Sequence, residues 1–206
     1  MPMPESAIRE IVATYLAATY AIRLPGGRRV VLRIGARTPP ELDALLDAAA
    51  RDRDVRHARN PDAGAADPID ARAIQLDLEA PGECAYKLVE AAAPGAGAGL
   101  ITAWNPFSQT TPHAENRARQ HELLACLRPR ARSVLAASGY GAGWREPGFA
   151  AFAIETQALD GLARAFRQNA IVTLRAGACV RLRLYRDDWR DALADSDVDL
   201  APPALG

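Results

Sequence analysis

The sequence predicts an α+β protein. Its expected core is a ferredoxin-like βαββαβ unit over about 100–175, with an extra strand after it and an N-terminal helix–hairpin–helix elaboration. Three observations carry this prediction. Short apolar stretches at 100–104, 132–137, 149–154 and 169–174 alternate with two segments of helical period, 112–127 and 156–167, in the order β-α-β-β-α-β. The N-terminal segment shows a helical period, then two period-two runs across a Pro-Gly-Gly turn. Finally, 206 residues with 49% hydrophobic content can bury a sizeable core. The expected organisation is an elaboration with a mobile insertion over 1–99, the core over 100–186, and a partly disordered acidic tail over 187–206.

The elements follow in order. Ile8, Ile11, Val12, Tyr15 and Leu16 recur at helical spacing, predicting a helix over 5–18. Tyr20, Ile22 and Leu24 alternate with Ala21 and Arg23, and Val30, Leu32 and Ile34 with Val31 and Arg33, giving a hairpin about Pro25-Gly26-Gly27. Thr38-Pro39-Pro40-Glu41 has the form of a capping box, and Leu42, Leu45 and Leu46 make the apolar face of the helix it starts. Residues 51–70 are charged and predict a loop. Ile74, Leu76 and Leu78 predict a half-exposed strand, with a return arm near Tyr86 and Leu88. The Ala/Gly/Pro run 91–99 is a flexible connector.

From Leu100 the pattern sharpens. A strand over 100–104 precedes a polar loop and a helix over 112–127, with Thr111 as its cap and Leu123, Leu124 and Leu127 inward. A short strand at 132–137 leads into a Gly-rich loop over 138–147, then a strand apolar on both faces at 149–154. A helix over 156–167 and strands at 169–174 and 180–185 follow, the last with Arg181, Arg183 and Tyr185 on an outer face.

Composition excludes several function classes. A formal net charge of zero gives no field for nucleic acid. Arg164, Arg167, Arg175, Arg181, Arg183 and Arg186 precede an acidic run from Asp187 to Asp199, read first as two solvated faces and second as a tail folded over the arginines. Cys84, Cys126 and Cys179 are widely spaced, with no CxxC pair, as expected of reduced, buried cysteines in the cytoplasm. No signal peptide, membrane-span run, metal motif or cofactor motif appears, and His113 and His121 are expected on the surface.

Right-handed crossovers place four polar features at one edge of the sheet. They are Asn105-Pro106, the helix start with Glu115 and Asn116, the segment 144–147, and Gln168-Asn169. Asn116 lies seven and eleven residues before Leu123 and Leu127, on the inward face. The candidate pocket is lined by Asn105, Asn116, Glu146, Gln168 and Asn169 and walled by Trp104 and Trp144. Such amides with one acid suit a small polar ligand, in a binding or regulatory domain. Glu146, desolvated between the tryptophans, is a candidate general acid/base. The competing account has the same side chains capping strand and helix ends. Tyr15 and Tyr20 belong to the core or reach the site, the core being favoured, and Gly139-Tyr140-Gly141-Ala142-Gly143 is assigned to a flexible hairpin loop. A third possibility is an interaction module, or a homo-oligomer, formed through a free edge strand at 180–185.

Four motifs recur in order: Thr102-Ala103-Trp104-Asn105-Pro106; Glu115-Asn116 with Arg119 and Leu123; Trp144-Arg145-Glu146-Pro147-Gly148-Phe149; and Phe166-Arg167-Gln168-Asn169-Ala170-Ile171. Over about 100–174 the chain resembles a bacterial family known as domain of unknown function 3293. The resemblance implies no particular activity, but it selects the residues that topology places on one edge. The segment 53–99 is longer than that family's pattern requires.

Overall fold

The computed structural model of the protein describes residues 3–47, 97–193 and 198–203. In chain order these contain α1 (Glu5–Ala17), β1 (Thr19–Arg23), β2 (Arg29–Arg33) and α2 (residues 40–47). Next come β3 (Gly97–Ile101), α3 (His113–Leu127), β4 (Ser133–Gly141) and β5 (Trp144–Ile154). The described chain finishes with α4 (Thr156–Ala165), β6 (Ala170–Leu174), β7 (Arg181–Leu184) and β8 (Asp199–Leu200). The strands form one sheet in the order β2-β1-β4-β5-β3-β6-β7-β8. Neighbours are antiparallel except the parallel pair β7–β8, so the sheet is mixed, and it curls into a half-barrel.

The expected element order from β3 to β6 is present. The sheet does not stop at those four strands. The β1–β2 hairpin pairs with β4, Tyr20 opposite Gly139, while β7 and then β8 extend the other side. The expected free edge at 180–185 is therefore interior. Among the described residues the edges are β2 and β8.

The segment 138–147, expected as a loop, is instead the continuation of a long ribbon. Gly139 pairs with Glu146 and Gly141 with Trp144, and only Ala142 and Gly143 make the turn, with φ +78° at Gly143. The glycines misled because their role is to leave room. A Cβ on Gly141 would lie 1.9 Å from the Trp144 indole nitrogen, and one on Gly139 would lie 3.1 Å from its ring. Pro147 fits within β5 because beyond Phe149 this strand has no β3 partner and is an edge on that side.

Both sheet faces are covered. Ile101, Leu123, Leu127, Phe149, Ile154, Leu159 and Phe166 pack between the sheet and α3 and α4. On the other face lie Ile22, Leu32, Leu42, Leu100, Leu135, Phe152 and Val172, and beside them Ile8 and Val12 of α1 with Leu182, Leu184 and Trp189. Removal from water contributes about 2 kcal/mol for each fully buried side chain of this kind. Ala153, at φ +52°, is the extra residue of a bulge: Ala98 pairs with Phe152 and Gly97 with Ile154. The bulge sends Phe152 and Ile154 to opposite faces.

Further expectations are corrected. Thr38 does not cap α2; its hydroxyl donates to the carbonyls of Arg175 and Ala178, tying the helix start to the β6–β7 turn. Thr111 gives no cap either, since its hydroxyl donates to the Gln109 carbonyl. Arg183 and Tyr185 do not face solvent, because Asp160 of α4 covers them and bonds both. The acidic run folds back: Asp188 grips Arg186, Asp187 bonds Arg190, and Asp199 bonds Arg181 at 2.9 Å beside β7. Cys126 is half-buried and Cys179 exposed, not both buried. Cys84, the strand through Ile74–Leu78, its return arm and most of the insertion lie outside the described residues. Among the described residues no helix is long and apolar enough to cross a membrane.

Candidate functional site

The site is built where β3 ends. Past Ile101 the backbone N–H groups lose their sheet partners, and burying them unpaired would be costly. Side chains take them over. Gln120 Oε1 accepts from Ala103 N–H at 2.9 Å, Thr102 Oγ1 from Trp104 N–H at 3.0 Å, and Asn116 Oδ1 from Asn105 N–H at 2.9 Å. Asn116 and Gln120 open the inward stripe of α3 that continues as Leu123 and Leu127, and both amides are buried.

The loop that follows is strained. Asn105, Phe107 and Ser108 have φ of +45°, +51° and +59°, a region that costs a non-glycine residue about 1 kcal/mol or more. Specific contacts hold it there. Asn105 Oδ1 accepts from Asn116 Nδ2 at 3.0 Å and from Thr111 N–H at 3.2 Å. Phe107 N–H donates to the Arg167 carbonyl at 2.7 Å. Ser108 Oγ lies 2.6 Å from the Tyr15 hydroxyl and accepts from Asn169 Nδ2 at 3.1 Å.

Alternation along β5 directs Glu146. Trp144, Glu146 and Gly148 share parity with Ala150 and Phe152, so they face the α1 side of the sheet. Glu146 Oε1 accepts from Asn105 Nδ2 at 2.8 Å, completing a relay from Asn116 through Asn105 to the acid. Burial pushes the Glu146 carboxyl above its ordinary value, and the Asn105 bond only partly opposes this. Burial likewise raises the Tyr20 phenol, helped by Tyr15 and Glu146.

These groups surround a cavity of about 80 Å³ between the end of α1 and the sheet. Leu100, Ala137, Val172 and Leu182 form its apolar floor, and Tyr15, Tyr20, Asn105, Trp144, Glu146 and Asn169 its walls. Of the seven expected site residues, Asn105, Trp144, Glu146, Gln168 and Asn169 line it. Asn116 does not; 1% exposed, it sits behind Asn105 and fixes it. Trp104 also stands outside, with its ring 5.4 Å from and edge-on to His113, so Glu146 is not held between two tryptophans. Tyr15 and Tyr20, placed in the core in preference to the site, pack against the core and also line the cavity. Ser108 and Ser138 carried no sequence signal; they arrive through the strained loop and the lengthened β4. Among the described residues no group of three His, Cys, Asp or Glu could hold a metal ion.

Comparison with known proteins agrees with the resemblance read from the motifs. Residues 101–171 match the model of a family described as "Protein of unknown function (DUF3293)". The matched span holds Asn105, Asn116, Trp144, Glu146, Gln168 and Asn169, while Tyr15 and Tyr20 lie outside it. No curated protein and no solved structure matches the chain.

Proposed function

We propose that the cavity binds a small polar molecule and that the protein is a binding or regulatory domain of the bacterial cytoplasm. One observation carries this reading. Glu146 is a half-buried acid with no ion-pair partner among the described residues, yet the Asn116–Asn105 relay positions it at a cavity. A group used only to cap a chain end gains nothing from that burial. The strand order β4-β5-β3-β6, with α3 and α4 on one face, supports reading the centre as a ferredoxin-like unit extended on both sides.

A thermal-shift screen against metabolites and nucleotides tests the proposal, run beside Glu146→Ala and Asn116→Ala. Ligand at about 100 times its Kd adds roughly 2.7 kcal/mol to native-state stability. A shift in the wild type that Glu146→Ala abolishes is expected. Silence across the library, with variants that are merely less stable, would sink the idea and favour structural capping.

Catalysis is the second reading. An acid raised by burial at an open cavity is suited to general acid/base work. It requires turnover: the ligand identified by the screen would be converted during incubation, and Glu146→Gln would stop the conversion. Recovery of unchanged ligand leaves binding alone. A homo-oligomer formed by strand pairing would use β2, whose Val31 is 52% exposed.

A further inference from the structure

The cavity has a polarity as well as a shape. Most of its amide donors are already used within the protein. Asn105 Nδ2 donates to Glu146, and Asn169 Nδ2 to the Tyr15 hydroxyl and Ser108 Oγ at 3.0 and 3.1 Å. Gln168 Nε2 donates to the carbonyls of Trp104 and Phe166, both at 3.2 Å. The Tyr20 hydroxyl donates to the Tyr15 carbonyl at 3.0 Å. Donors remain at the second Asn105 N–H, the Trp144 indole and the Ser138 hydroxyl, and the strongest acceptor left is the second carboxylate oxygen of Glu146.

Charge decides which ligand fits. Among the described lining residues Glu146 alone carries a formal charge. Arg186 touches Asn169 Oδ1 at 3.5 Å, but Asp188 already holds its guanidinium through two bonds, at 2.8 and 2.6 Å. A phosphate or carboxylate ligand would meet an acid and no available cation. A neutral alcohol would leave that acid without a counter-charge. A protonated amine brings both three donors and a charge. Aromatic walls suit an organic cation as well. At about 80 Å³ the space is several waters in size, one water needing roughly 10–15 Å³, which is room for an ammonium group and a short alkyl part.

Building on the binding role argued above, we propose that this cavity takes the protonated amino group of a small free amine, with Glu146 as its counter-ion. The alkyl part of the amine then lies on Leu100, Ala137 and Val172.

The test is an NMR-monitored titration of the full chain with butylammonium chloride, 1-butanol, sodium butyrate and Nα-acetyl-lysine methylamide. The Trp144 indole N–H serves as reporter, and wild type is compared with Glu146→Gln. Butylammonium is expected to bind at least about tenfold more tightly than butanol, with butyrate weakest. Glu146→Gln, folded by the same spectrum, should lose that preference. Butanol or butyrate binding as well as the amine would overturn the inference while leaving the cavity a binding site. So would an amine preference that survives in Glu146→Gln. Tighter binding of the lysine derivative would assign the site to a protein side chain and overturn the free amine. Absence of binding by all four would overturn the inference, and silence in the wider metabolite screen as well would end the binding role.

Discussion

Two acids, Asp160 buried and Glu146 half-buried, lie on opposite faces of the sheet and differ in what holds them. Asp160 of α4 takes two bonds from Arg183, at 2.8 and 2.7 Å, and one from the Tyr185 hydroxyl at 2.8 Å. Burial alone would raise its carboxyl, but Arg183 and Tyr185 together hold it below the ordinary value. Glu146 has an amide in place of a guanidinium, and burial wins. The first site is complete without help from outside the chain. The second has a charge that nothing among the described residues neutralises, beside a cavity. In the proposed reading, burial with a cation makes a structural acid, and burial with only a neutral donor at a cavity leaves an acid available to a ligand.

The comparison can be broken in several places. Asp160→Ala should have the largest effect, because it leaves Arg183 buried without its counter-charge. A loss of about 3 kcal/mol in urea unfolding is expected. Asn116→Ala removes the acceptor of the Asn105 N–H and the donor to its side chain, and should cost about 2 kcal/mol. It should also loosen Glu146, so amine affinity falls together with stability. Gly141→Ala forces the indole of Trp144 aside and should cost roughly 1–2 kcal/mol, with a change in tryptophan emission that reports the displaced ring.

Glu146→Gln should have the smallest effect and the opposite sign. The amide oxygen still accepts from Asn105, and a buried charge is gone, so stability at neutral pH should hold or rise by up to about 1 kcal/mol. The pH dependences separate the two acids. Asp160 is lowered when folded, so its contribution is present above its unfolded value, near 3.8, and is lost as pH falls through the folded value. Glu146 is raised when folded, so it disfavours folding at neutral pH, and that penalty is relieved as pH falls toward 4.5. The stability difference between wild type and Glu146→Gln should shrink over that interval, as unfolding curves at successive pH values would reveal.

Local periodicity made much of this legible. The order of elements from β3 to β6 follows from helical and alternating spacing, and topology alone brought Asn105, Glu146, Gln168 and Asn169 to one edge. The inward direction of Asn116 was readable from Leu123 and Leu127 on the same helix. What escaped depends on partners distant in sequence. Gly139 and Gly141 look like loop residues until Trp144 is laid across them. Tyr20 looks like core until β1 is paired with β4. Strand β7 looks like an edge until Asp199 and Leu200 return beside it, 16 residues past Leu184. Trp104, an aromatic next to the key asparagine, invited a role in the pocket that its contact with His113 does not support.

The central claim is that Asp160 is a compensated acid and Glu146, among the described residues, an uncompensated one. Side-chain carboxyl carbons followed by NMR through a pH titration measure this directly, with Glu146→Gln and Asp160→Asn used to assign the signals. The expected result is a Glu146 signal that titrates above the ordinary glutamate value of 4.5 and moves down when butylammonium is present, while Asp160 stays below 3.8 throughout. A Glu146 that titrates at its ordinary value and ignores the amine would contradict the account.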